Sequence, residues 1–426
     1  MTKVSQGPTI AIVGAGLGGL ALALFMHQAG IHPTIFEGRS RTAADGGYLA
    51  LAPNALAVLD DLGLYHDLLP KGFAYEELTF LSARNCSRIG AVLNGSQAKY
   101  GYPALRISRH VVRQTLLQAA EEAKLQIRFD SKVTSVEDAN DCVSLSFQGG
   151  VRRSFTYVVG ADGIHSRVRR IISSLEPTWS GQMGIGGGLV PRREVDENLP
   201  LPCIFTGRSN AFMMMPTVAD GSIVNFFATI ETGARSREEW TKLGEDKAQL
   251  AGILKERHCH KDAEWPEVVK KVCKTGDANS LTVWPHFHAP VLDSWISRTS
   301  RVILLGDAAH AMPPSGGSGA AMAFEDAASL AQVFAGNKRP EAEIDLTSAL
   351  QQWQNQRQER VRKVRAFTAT SSATRKATSS WLQQIVKEYL MWIYFLVKGK
   401  DGGFAWIYSH KEQGPRRLST IPEEKE

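Results

Sequence analysis

The sequence predicts an α/β fold interrupted by an inserted antiparallel sheet and closed by C-terminal helices. Three observations carry that expectation. The first 37 residues run strand, glycine turn, helix, strand, acid. Residues from about 182 to 283 break into short strand-like pieces. A buried strand ending in a second glycine motif then returns at Arg301, and the chain from about Asp345 to Tyr408 is mainly helix-forming.

The opening unit is read from its punctuation. Thr9 to Val13 is an apolar run that ends in Gly14-Ala15-Gly16-Leu17-Gly18-Gly19, and Leu20 to Gln28 favours helix until Gly30 stops it. A second strand from about Pro33 to Phe36 delivers Glu37, which completes a βαβ unit of Rossmann-like kind. Gly14 permits the tight turn, Gly16 lets backbone approach phosphates with no side chain between, and Gly19 lets helix pack on strand. The helix N-terminus presents free N–H groups and a positive dipole end to anionic oxygens. Glu37, 23 residues beyond Gly14, is placed to accept hydrogen bonds from a ribose diol. An ordinary glycine turn and a solvated strand-end carboxylate are the competing readings. These residues leave NAD and FAD both open.

Ser108 is positioned as the N-cap of a helix with Val112, Leu116, Ala119, Ala120 and Ala123 on one face. Alternation follows, in Leu125, Ile127 and Phe129 and again in Val143, Leu145 and Phe147, the two-residue period of half-buried strands. Tyr157 to Val159 leads into Gly160-Ala161-Asp162-Gly163. In the insert, Ala211 to Met215 and Ile223 to Ala228 read as strands joined by the turn signal Asp220-Gly221.

Whole-chain properties narrow the class. The 426 residues suit one large unit or two joined domains, and 43% hydrophobic with 22% charged residues is ordinary globular usage. A net charge of +6 suits an anionic partner, but the basic residues are scattered among acids, so nucleic acid is not expected. Five cysteines without CxxC spacing argue against a disulfide framework or zinc cluster and fit a reducing compartment, hence a cytoplasmic protein. No export signal is visible, and the apolar run Tyr389 to Val397 falls well below the ~20 residues of a spanning helix, so no transmembrane anchor is expected.

The second glycine constellation separates the cofactors. Gly306-Asp307-Ala308-Ala309-His310, followed by Pro313-Pro314-Ser315-Gly316-Gly317-Ser318-Gly319-Ala320-Ala321, puts a carboxylate at a strand end and a helix N-terminus a short loop later. A carboxylate suits a ribityl chain, and a helix N-terminus suits the negative charge near the pyrimidine edge of a reduced flavin. NAD has neither feature.

The glycine motif at Gly14 to Gly19, the segment Ala161-Asp162-Gly163-Ile164-His165-Ser166-Arg167 and Gly306 to His310 together resemble the group A flavoprotein monooxygenases. These are the aromatic hydroxylases related to salicylate and para-hydroxybenzoate hydroxylases. The resemblance covers roughly residues 9 to 365. It implies a Rossmann-like FAD-binding domain with an inserted antiparallel-sheet substrate domain. The FAD-binding parts would be 1–75, 101–180 and 285–340, the substrate parts 76–100 and 181–284, with C-terminal helices in 341–410 and a disordered tail in 411–426. It also implies site residues: Glu37, with Arg39, at the adenosine ribose; Gly47 beside the flavin; Arg109 at the FAD linker; Asp162 in a dual role toward FAD and NAD(P)H. Asp307 would bind the ribityl chain, and Gly317, Gly319 and Ala320 would line the isoalloxazine ring. NAD(P)H would bind transiently, and reduced FAD would form a hydroperoxide with dioxygen that hydroxylates or epoxidises an aromatic small molecule, in secondary metabolism or detoxification. A flavin reductase or dehydrogenase, and a non-catalytic flavin-binding module, are the other readings. No metal is expected.

The sequence departs from the family in the insert. Many relatives carry an arginine in the first strand of the substrate domain and a tyrosine before a proline in the middle one. Here those stretches read Met183-Gly184-Ile185-Gly186-Gly187-Gly188-Leu189 and Phe212-Met213-Met214-Met215-Pro216. The expectation is a wider apolar pocket, shaped by adaptable methionines, for a substrate larger and less acidic than a benzoate. His286 and His288 are candidates for a base near neutrality, and Met215 is a candidate pocket residue. His258-Cys259-His260 lacks a third metal ligand at useful spacing. Trp381, Ile385, Tyr389, Trp392 and Leu396 fall at helical spacing and suit a helix that covers the core, with peripheral membrane contact not expected.

Overall fold

The computed structural model describes residues 8–43, 46–208, 210–260, 264–312, 317–336, 345–373, 378 and 380–415. A parallel five-stranded sheet forms around β1 (Ile10–Val13). Its order is β18 (Val302–Leu304), β12 (Tyr157–Gly160), β1, β2 (Thr34–Phe36), β8 (Gln126–Arg128). All four residues of β1 are buried, which is why it reads as an unbroken apolar run rather than an alternation. The helix Leu17–Gln28 leaves the glycine turn directly and packs against the helices Arg109–Glu122 and Gly319–Gly336.

The inserted sheet has seven strands, in the order β17 (Thr282–His288), β13 (Thr178–Pro191), β16 (Ile223–Glu231), β15 (Ala211–Pro216), β14 (Cys203–Thr206), β5 (Glu77–Ser82), β6 (Arg88–Leu93). Its pairings are antiparallel except for β14 on β5. The strand period sorts its two faces. Met183, Ile185, Phe212, Met214, Phe226 and Ala228 pack beneath three helices between Arg237 and Thr275. Met213, Met215, Asn225, Phe227 and His286 point the other way, toward the nucleotide side.

A three-stranded sheet, β3 (Tyr48–Leu51), β7 (Ala104–Ser108) and β4 (Phe73–Tyr75), lies between the two. Leu51, Leu105 and Ile107 belong to the nucleotide-side core, whereas Tyr75 and Ala104 pack with Met215 of β15. β7 is therefore a wall with one face in each unit. A separate meander, β9 (Val133–Asp138), β10 (Val143–Phe147) and β11 (Arg152–Phe155), accounts for the alternation after residue 125.

Three local expectations change. Ser108 sits at the N-cap position but its side chain makes no capping bond; it pairs with Tyr48 across β3 and β7, and the Arg109 N–H donates to the Gly47 carbonyl at 3.1 Å. Gly414, expected in a loose tail, leaves no room for a Cβ, which would stand 2.3 Å from the Phe25 ring. The tail from 416 lies outside the described residues.

The third change concerns the helix Trp381–Lys398, which does not cover the core with its apolar stripe. It buries Gln384, Glu388 and Met391 and turns Leu382, Val386, Tyr389, Leu390, Ile393, Leu396 and Val397 outward. The reason is local. The adjacent ends of β5 and β14 offer polar partners: Ser82 donates to Glu388 at 2.9 Å, the Arg84 guanidinium just beyond it reaches the same carboxylate at 3.2 Å, and Gln384 donates to the Thr206 carbonyl. Those bonds satisfy buried polar atoms that an apolar face would have left unpaired. Among the described residues no helix is long and apolar enough to cross a membrane.

Candidate active site

The first glycine turn is built by contact on two sides and openness on the third. Gly14 has φ +108°, and a Cβ there would stand 2.4 Å from the Ala161 carbonyl oxygen; one at Gly19 would stand 2.1 Å from that of Gly14. A Cβ on Gly16 meets nothing within 4 Å. The two outer glycines are thus required by packing, while the middle one keeps the approach to the helix N-terminus clear.

Glu37, 7% exposed, accepts the Ala15 N–H at 2.9 Å on one oxygen and the Arg39 N–H at 2.9 Å on the other, where the Arg39 Nε also donates at 3.3 Å. Carboxylate oxygens accept more than one bond each, so further acceptor capacity remains for a diol. Arg113, which sequence reasoning missed, holds the turn from behind by donating its Nε to the Ala15 carbonyl at 2.9 Å.

Asp162 stands with its backbone against this turn, its Cα 3.1 Å from where a Gly14 Cβ would be. Its carboxylate is taken up locally: Ser166 Oγ donates at 2.5 Å, and the N–H groups of Arg167 and Val168 donate at 2.7 and 3.3 Å. Burial raises its pKa, and those donors oppose the rise. Arg169, buried and also missed, joins this segment to the second glycine motif by donating to the carbonyls of Ile164 at 2.8 Å and Ala308 at 3.1 Å.

Asp307 is exposed between buried neighbours. A Cβ on Gly319, the first residue of the helix Gly319–Gly336, would lie 3.9 Å from its Oδ1; one on Gly317, at φ +63°, would lie 3.9 Å from the Ala50 carbonyl oxygen of β3. Ala320 follows in the same first turn, and Pro313 to Gly316 lie outside the described residues. Behind the turn is a buried ionic cluster. Asp326 accepts the Gly306 N–H at 3.0 Å, His310 Nε2 at 2.5 Å and Arg357 Nε at 2.8 Å, while Glu325 binds Arg357, Arg360 and Asn54.

The inserted sheet meets these turns at β3 and β17. Gly47 has φ +82°, and its Cβ would collide with the Trp284 ring at 2.8 Å; the Arg109 guanidinium lies 5.9 Å over the same ring. His286 is buried two residues along β17, stacked at 6.3 Å on Phe227, with its Nε2 unpartnered among the described residues. Burial first, and His288 second, lower its pKa to about 4, so the expectation of a base near neutrality gives way to a neutral imidazole at physiological pH. His288 is exposed and shifted down as well, chiefly by desolvation. Met215 is 1% exposed against Tyr75 and Ala104. His258 is a core residue between Phe212 and Trp265.

The arrangement fits FAD: an open helix N-terminus at Gly16, an acid at the end of β2, and an exposed carboxylate beside a second helix N-terminus. Fold and site together define a flavin-dependent oxidoreductase. The chain belongs to the FAD binding domain family, whose model matches residues 8–368, and it is an FAD-dependent monooxygenase. It is 29% identical over 371 residues to a 3-amino-4-hydroxybenzoate 2-monooxygenase of Streptomyces platensis, covering 85% of this chain and 88% of the relative. It is 27% identical over 334 residues to a 6-hydroxynicotinate 3-monooxygenase of Bordetella bronchiseptica, covering 77% and 82%. Klebsiella pneumoniae HpxO, solved with FAD and uric acid, has the same fold, with a TM-score of 0.75 at 23% identity over 94% of this chain and 97% of that one.

Proposed function

We propose that the protein is a single-component hydroxylase that uses NAD(P)H and dioxygen to oxidise an aromatic small molecule held between the seven-stranded sheet and the flavin. The observation that carries this reading is the position of β3. Gly47, the residue before β3, lies against Trp284 of the substrate sheet, and Ala50 within β3 lies beside Gly317 of the second glycine turn. A flavin held by Gly47 and Gly317 would be within reach of both units. The relatives act, by their names, on amino-hydroxybenzoate and hydroxynicotinate, which are small aromatic compounds.

In this reading the turn Gly14 to Gly19 takes the pyrophosphate, Glu37 and Arg39 the adenosine ribose, and Arg109 the linker. Asp307 takes the ribityl chain, with Gly47, Gly317, Gly319 and Ala320 around the ring system. Asp162 orders the turn that joins the two glycine motifs. FAD when bound supplies reduction by NAD(P)H and activation of dioxygen. The chain's own residues orient the substrate and keep water out; Phe227 and Trp284 are large enough to do the second. His286 serves as a neutral hydrogen-bonding group. The FAD-binding parts are 1–75, 101–180 and 285–340 and the substrate parts 76–100 and 181–284. Five free cysteines suit the cytoplasm.

The test is to purify the protein with its flavin and follow NAD(P)H oxidation and dioxygen uptake with a panel of aromatic ligands. The reading expects at least one ligand to accelerate flavin reduction. A protein that binds no FAD, or whose flavin NAD(P)H never reduces, overturns it.

A further inference from the structure

Arg106 lies on the face of β7 that looks toward the substrate sheet, 5% exposed. A guanidinium so deeply buried normally has a carboxylate beside it, because desolvating a charge is costly unless it is paired. Arg106 has none. It makes two bonds near the outer distance limit, to the Tyr48 carbonyl at 3.5 Å and to Asn225 Oδ1 at 3.4 Å, and its ring contact with Tyr48 is at 5.4 Å. Its Nε is buried and has no hydrogen-bond partner among the described residues. Burial pulls its pKa down to about 10, and the groups that act against that are the phenols of Tyr75 and Tyr48. The group is still a cation at neutral pH.

We propose that Arg106 is the anion-recognition residue of the substrate site, binding a carboxylate or phenolate of the aromatic substrate between β7 and Asn225 of β16. This rests on the function proposed above. The family's arginine position on β13 is glycine here, and the loss of that cation suggested a less acidic substrate. Arg106 restores a cation from the opposite wall. The neighbours suit a ring carrying one anionic group: Met215, Tyr75 and Ala104 form a buried, mainly apolar cluster on this side, and Asn225 adds a buried polar atom beside the guanidinium.

The test measures equilibrium binding to the FAD-loaded protein through the flavin absorbance change, with benzoate, salicylate and 3-hydroxybenzoate against their amides. Tighter binding of the acids by roughly 10- to 100-fold is expected, with that preference lost in Arg106→Met and partly kept in Arg106→Lys. FAD content should be unchanged in both variants. No preference for acids in the native protein, no binding of any acid, or a preference that survives Arg106→Met overturns the proposal. So does loss of FAD from Arg106→Met, which would assign the cation to the cofactor. Failure of NAD(P)H to reduce the flavin is a separate result that sinks the proposed function and leaves the anion preference standing.

A second inference comes from the helix Trp381–Lys398. Its outward residues Leu382, Val386, Leu390, Ile393 and Val397 recur at three- and four-residue spacing, and Leu382 is 71% and Val397 74% exposed. Trp381, Tyr389, Trp392 and Tyr394 flank the stripe. The single acid of the helix, Glu388, is buried and Lys387 is half-buried, so the one fully exposed charge of the helix is the cation of Lys398 in the last turn. We infer that this face lies on an anionic lipid surface, the apolar stripe entering the headgroup boundary and the lysine meeting phosphates. The aromatic flanks and the absence of exposed acid on the helix favour a lipid surface over a second copy of the chain.

Sedimentation of the FAD-loaded protein with vesicles tests this. Binding to phosphatidylserine-containing vesicles should exceed binding to pure phosphatidylcholine and fall roughly tenfold or more in Leu390→Glu with Ile393→Glu, with flavin absorbance unchanged. Absence of binding to either vesicle, or equal binding by the double variant, overturns it. A dimer in lipid-free buffer that the double variant abolishes assigns the face to a second copy and also overturns it.

Discussion

His310 Nε2 stands 2.5 Å from Asp326 Oδ2, and neither side chain reaches solvent. The same carboxylate accepts the N–H of Gly306, so it fixes the turn that presents Asp307. Asp326→Asn removes the charge and turns one of the two acceptor oxygens into a donor, so one side of the cluster, Arg357 Nε or His310 with the Gly306 N–H, loses its acceptor, which costs on the order of 3 kcal/mol for a broken buried pair. The expected outcome is a lower thermal midpoint together with faster FAD release, read by flavin fluorescence.

The cluster also sets an acid limit. Burial acts to raise the Asp326 pKa, but His310 and Arg357 outweigh it and hold the carboxyl at about 2. A folded-state pKa below the unfolded one gives stability that is present above about pH 4 and lost as pH falls toward about 2, worth on the order of 2 kcal/mol. Urea midpoints should fall through that window in the native protein and fall less steeply in Asp326→Asn.

Two glycines in one turn should respond oppositely. Gly14→Ala forces a Cβ into the Ala161 carbonyl at a φ that alanine rarely adopts, so the FAD-free protein should lose stability. Gly16→Ala meets no protein atom within 4 Å and should keep its FAD-free thermal midpoint while binding FAD at least about tenfold more weakly, because the methyl stands where phosphate approaches. Equal FAD affinity in Gly16→Ala would argue against this turn as the pyrophosphate cradle.

His286 is neutral across the physiological range, its pKa lowered to about 4. The pH profile of kcat/KM should show no inflection between about 6 and 7 that disappears in His286→Gln. Because the role is a neutral hydrogen bond, His286→Gln should retain more activity than His286→Leu.

The βαβ unit was legible because glycine spacing, helix and acid are local signals, and each is met within the first 37 residues. The second motif was legible for the same reason. What escaped were residues whose meaning depends on distant partners. Arg357 reads as one of many helix cations, and its acid is 31 residues away on another helix. Arg106 reads as an ordinary strand residue until β7 is placed between two units. Asp162 shows how a motif residue can serve the local turn. The helical spacing in 381–398 suits a helix that covers the core, but periodicity identifies an apolar stripe without saying which face the sheet will take. The polar ends of β5 and β14 decided that.

Isotope incorporation tests the central claim most directly. The FAD-loaded protein is supplied with NAD(P)H, labelled dioxygen and whichever aromatic ligand accelerates flavin reduction, and the product is analysed by mass. The account predicts one labelled oxygen atom in the product; an oxidised product without label would contradict it.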